Sequence, residues 1–97
     1  MATFISLLGW TDQGIRNVKQ TTARADVFKE MARRLGVTVK DLYWTVGLYD
    51  LLLVMEAPDE ETLSTLLLSV GALGNVRTQT LRGYSAEEMN RIIAKMP

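Results

Sequence analysis

The chain has 97 residues, with 11 Lys and Arg against 11 Asp and Glu, and neither His nor Cys. At this length only one core fits, so residues 1–97 are expected to form a single domain, and 47% hydrophobic content at zero net charge sets the chain apart from a disordered tail. Lacking imidazole and thiol, it has no side chain whose unperturbed pKa lies near neutrality, no Ser-His or Cys-His nucleophile pair, no disulfide and no thiolate or imidazole metal site, and its neutrality argues against a phosphate backbone as partner.

Phe4 to Leu8 is a short apolar run ending at Gly9, the pattern of a strand covered on both faces. Thr11 then reads as a helix N-cap with Asp12 in the first turn, and Ile15 and Val18 as a first apolar face. After a break near Thr21, Phe28, Met31, Ala32 and Leu35 keep the spacing of one buried helix face, and Gly36 supplies a left-handed C-terminal residue. Val37 to Val46 and Asp50 to Ala57 read as strands, joined through Gly47-Leu48-Tyr49 as an antiparallel hairpin. Asp59 caps a second helix with an apolar face of Leu63, Leu66, Leu67 and Val70, ended by Gly71 and Gly74. Asn75 to Leu81 alternates like an edge strand, and Ser85-Ala86-Glu87-Glu88 is a capping box before Met89, Ile92, Ile93 and Met96.

The order β-α-β-β-α-β-α is an α+β, ferredoxin-like βαββαβ arrangement with an extra C-terminal helix. Its first and third strands are central, which suits the two continuous apolar segments. Two helices cover one sheet face, yet Leu51 to Met55 is apolar at every position. The second face therefore needs a cover, from the last helix or from a second subunit, and sheet-on-sheet packing in a two-fold homodimer gives a dimeric α/β-barrel.

Gly47-Leu48-Tyr49-Asp50, with Tyr43-Trp44-Thr45 before it and Leu73-Gly74-Asn75-Val76-Arg77-Thr78 after it, resembles the GYD domain family over essentially the whole chain. The resemblance implies a ferredoxin-like fold of the dimeric α/β-barrel type and leaves function open.

Candidate ligand-binding residues are Trp10, Tyr43, Tyr49, Asp50 and Arg77. Tyr49 beside Asp50 could relay a proton, with Asp50 as base, although Asp50 could equally bind backbone N–H groups of the hairpin turn. Tyr43 and Trp44 are adjacent on a strand and so face opposite sides. Arg77 and Arg82 do the same; either could hold an anion, or Arg77 could pair with Glu56 or Asp50. Asp59, Glu60 and Glu61 fan around a helix and suit capping rather than a metal, and Met31, Met55, Met89 and Met96 suit core positions. No glycine-rich nucleotide fingerprint occurs, and neither a metal nor a cofactor is expected.

The leading expectation is a cytoplasmic, homo-oligomeric small-molecule-binding or accessory/sensor domain, without nucleic-acid or membrane partners. The alternatives are a metal-free enzyme of monooxygenase or isomerase type using Asp50 and Tyr49, and a purely structural interaction module. The N-terminus lacks a basic region followed by a long apolar run, which is the basis for the cytoplasmic expectation.

Overall fold

A computed structural model describes residues 1–97. The elements are β1 (Ala2–Trp10), α1 (Asp12–Arg16), a 3-10 turn (Val18–Gln20), α2 (Thr21–Arg34), β2 (Thr38–Trp44), β3 (Leu51–Ala57), α3 (Glu60–Ala72), β4 (Val76–Gly83) and α4 (Ala86–Ala94). The strands form one antiparallel sheet in the order β2-β3-β1-β4, so the two apolar strands are central and the polar β4 lies at an edge. This is the expected ferredoxin-like arrangement with its extra C-terminal helix.

Local chemistry sets the helix boundaries. Thr11 accepts from the Gly14 N–H, Asp59 from the Thr62 N–H and Ser85 from the Glu88 N–H, each satisfying a donor that the first helical turn leaves free. The first helical unit breaks at Asn17 and resumes at Thr21. Gly36 and Gly74 both adopt positive φ, 81° and 84°, where α2 and α3 turn back toward the sheet. Ile15 departs from expectation, since it is exposed, and the buried residue of α1 is Gly14.

Alternation along β1 and β3 divides the sheet into two faces. Phe4, Ser6, Leu8, Leu51, Leu53, Met55 and Ala57 are buried beneath α2 and α3, with Phe28, Ala32, Leu63 and Leu66 packed over them. Ser6 is the one fully buried polar side chain, and it shares a hydrogen bond of 2.7 Å with Thr80 on β4. Ile5, Leu7, Leu52 and Val54 point to the opposite face and are only half-buried.

That open face is not covered by α4. The apolar residues of α4 and Met96 just beyond it are themselves in solvent: Met89 is 45% exposed, Ile93 51% and Met96 66%, so Met89 and Met96 are not core residues as the spacing suggested. The capping box, complete in both directions, starts the helix, and Arg82 reaches Glu88 at 3.5 Å. The Ser85 N–H and Arg82 hold the Glu88 carboxyl below the usual carboxylate range. With α4 projecting, the radius of gyration is 14.6 Å, against about 13 Å for a compact chain of this length.

Gly14 shows how tightly the α1 corner is packed. A Cβ there would collide with the Asn75 carbonyl and lie 3.2 Å from Trp10 Cδ1. Gly14→Ala is expected to cost about 1–3 kcal/mol. Gly71→Ala, in the last turn of α3 with nothing within 4 Å of its Cβ, is expected to stabilise by up to ~1 kcal/mol. Thermal unfolding of the two variants checks the contrast, and equal behaviour would contradict it.

Candidate functional site

The segments carrying the family resemblance converge on the end of β1. The β1–β3 ladder runs from Ala2↔Ala57 to Leu8↔Leu51, and beyond it the Asp50 N–H donates to the Leu8 carbonyl at 2.8 Å. One residue pair further on, β3 has no backbone carbonyl in place for the Trp10 N–H. The Asp50 carboxylate takes that role, accepting from Trp10 N through Oδ2 at 2.8 Å. The carboxylate thus serves the neighbouring strand, not the hairpin turn. The turn is closed by the Thr45 N–H on the Asp50 carbonyl at 2.8 Å and the Thr45 hydroxyl on the Tyr49 carbonyl at 2.6 Å.

From the other side, the Thr11 N–H donates to the Asn75 carbonyl at 3.1 Å. Gln13 Nε2 donates to the Leu73 carbonyl and to Asn75 Oδ1, each at 3.0 Å. The Leu73-Gly74-Asn75 segment therefore clamps α1 against the start of β4.

The five candidate residues fall on both faces of the sheet. Trp10 borders the helix side, where it lines a cavity between the sheet, α2 and α3. Its Nε1 is the only buried side-chain polar atom without a hydrogen-bond partner. Tyr43, opposite Leu52, and Arg77, opposite Gly9, belong to the open face. Tyr49 extends to the same face, its hydroxyl donating to Gln79 Oε1 at 2.7 Å. Asp50 sits at the end of the sheet and makes no hydrogen bond with Tyr49.

Trp44, paired with Leu51, lies on the helix side and donates from Nε1 to Thr21 Oγ1 at 2.9 Å, which settles how the adjacent aromatics divide. Arg77 forms no ion pair with Glu56 or Asp50; Glu56 pairs instead with Lys40 at 3.2 Å. For Glu56 the reason is register, since it lies opposite Thr38 and Thr3, at the far end of the sheet from Arg77; the Asp50 carboxylate is at the same end as Arg77 and is bonded to the Trp10 N–H. Arg82 faces the helix side, lying 5.6 Å from the Phe4 ring centroid and 4.5 Å from that of Tyr84.

Sequence reasoning passed over Arg24, although its position carried a signal: it precedes Phe28 by four residues and Met31 by seven, on the buried side of α2. The partner of Asp50 carried none, because Trp10 is 40 residues away.

Fold and site together define a small ferredoxin-like domain with one sheet face under helices, an open apolar sheet face and no helix long and apolar enough to cross a membrane. The GYD domain model matches residues 4–93, and the chain belongs to that family. It is 33% identical over 90 residues, 92% of this chain and 95% of the relative, to the glutamine synthetase and cystathionine beta-lyase binding protein of Thermus thermophilus. The crystal structure of FFRP-DM1 superposes with a TM-score of 0.59 at 20% identity, covering 87% of this chain and 100% of that one, a likeness of fold.

Asp50→Ala is expected to leave the Trp10 N–H without an acceptor and cost about 1–3 kcal/mol. Asp50→Asn, which keeps a side-chain carbonyl, is expected to lose less. Denaturant unfolding with hydrogen exchange at Trp10 separates the two, and an Ala variant as stable as wild type would contradict this role.

Proposed function

We propose that the protein is a cytoplasmic, homo-oligomeric accessory protein that binds a metabolic enzyme rather than transforming a substrate itself. The observation that carries this reading is the pair of apolar surfaces left without partners, the open sheet face and α4. The first runs across the sheet through Leu81, Ile5, Leu7, Leu52, Val54 and Tyr43, with Leu81 47% and Tyr43 59% exposed. Each large apolar side chain left in water forgoes about 1.5–3 kcal/mol. A second copy covers such a flat face with the same face of its own, the isologous packing of a two-fold dimer.

The second surface is α4, whose Met89, Ile92 and Ile93 form one apolar stripe on a projecting helix, with exposed Met96 just beyond its end. An amphipathic helix of this kind lays its apolar face into a groove on a partner. The relative named for binding glutamine synthetase and cystathionine beta-lyase, aligned over 92% of this chain, supports an enzyme as that partner. Catalysis by Asp50 and Tyr49 has less support, because the Asp50 carboxylate caps β1 and the Tyr49 hydroxyl is bonded to Gln79.

Biolayer interferometry against purified glutamine synthetase and cystathionine beta-lyase from the same organism tests the role. Saturable binding to at least one is expected, weakened about tenfold or more by Ile92→Asp with the subunit number unchanged. Binding to neither enzyme would overturn the proposal, and an Ile92→Asp variant binding as wild type would remove α4 from it.

A further inference from the structure

The helix side of the sheet holds a site independent of the surfaces assigned to protein partners. α2 and α3 leave between them a partly open cavity of about 440 Å³, within the roughly 300–1,000 Å³ range of small-molecule sites. Its floor is Leu8, Leu51 and Leu53, and its walls include Phe28 and Met31 from α2 and Val70 from α3. At one end the lining becomes polar, with Gln20, Thr21, Arg24 and Asn75.

Arg24 is the only charged residue in this lining. It is half-buried, and its guanidinium donates to the carbonyls of Asn17 at 2.7 Å and Gly14 at 3.4 Å. Both acceptors are neutral. Arg33, Arg34, Arg82 and Arg91 each meet a glutamate, whereas Arg24, like Arg16 and Arg77, meets no carboxylate, and of these three it alone lines the cavity. Two carbonyls also leave part of a guanidinium's fork of five N–H donors unused. The adjoining start of α2 adds no compensating negative charge, for its first turn contains no acidic residue and its N-cap makes no side-chain bond.

We infer that the cavity binds an amphipathic monoanion, its apolar body lying between helices and sheet and its carboxylate on Arg24. Charge complementarity selects the head group: a carboxylate supplies the counter-charge that Arg24 lacks and matches the fork of its N–H groups. The leucine, phenylalanine and methionine lining selects the body, which is either a straight alkyl chain or a fused aromatic ring. Because Trp10 lines the cavity and Trp44 is bonded to Thr21 at its rim, occupancy is readable in tryptophan fluorescence.

The test titrates the full chain with dodecanoate, 2-naphthoate and dodecanol, below any micelle concentration, by tryptophan fluorescence and calorimetry. At least one carboxylate is expected to bind saturably at one site per chain, and the acid that binds more tightly identifies the body. Dodecanol is expected to bind about tenfold or more weakly than the better acid. Arg24→Gln should weaken the acids by about the same factor while leaving dodecanol unchanged. Met31→Trp, which fills the cavity from its wall and does not touch the Arg24 contacts, should abolish binding of all three and covers the case in which Arg24→Gln unfolds. Absence of saturable binding by either acid, dodecanol binding as tightly as the acids, or a folded Arg24→Gln variant with wild-type affinity for them would each overturn the inference. These outcomes are separate from enzyme binding, which the proposed function assigns to α4.

Discussion

The hydrogen bond from the Trp10 N–H to the Asp50 carboxylate holds the place where the central strand leaves the sheet. At that point β3 has ended, and a strand N–H buried without an acceptor is expensive. Because Asp50 supplies the acceptor, the hairpin after β2 is fixed against β1, and the chain enters α1 at a defined angle. Thr11 and Gln13 then carry the restraint on to the Leu73-Gly74-Asn75 turn, and Gly14 lets the two corners close. The family motif is thereby explained as architecture: its acid is a strand cap, and its later segment is the other jaw of the same clamp.

With that end fixed, the two sheet faces take different roles. The helix side holds the core and, beside it, the cavity bordered by Trp10. The other side is an apolar surface without a cover in the chain itself, and the small count of 14 buried residues leaves little stability to spare for its exposure. α4 does not relieve this. It departs from the edge strand, anchored by its capping box and by Arg82, and carries its own apolar stripe outward.

Much of the architecture was legible because it rests on local chemistry. The Thr11, Asp59 and Ser85 caps, the left-handed glycines at 36 and 74, and the central placement of Phe4–Leu8 and Leu51–Met55 follow from side-chain type and spacing over a few residues. Long-range pairing was not legible. The spacing of Met89, Ile92, Ile93 and Met96 states that one helix face is apolar and says nothing of what it meets. Arg77 lies beyond reach of Glu56 because of sheet register, and the carboxylate of Asp50 serves a strand rather than its own turn. Candidate residues chosen by type were spread over both faces, while Arg24, the only charged residue lining the cavity, sat unremarked four residues before Phe28.

The proposed role rests on a second copy covering the open sheet face. Its most direct test is the molar mass by sedimentation equilibrium over a wide concentration range. Twice the 10.9 kDa of the single chain is expected for the wild type, with a shift toward one chain in a folded Val54→Asp variant. A wild-type chain that stays folded at 10.9 kDa at every concentration would contradict it.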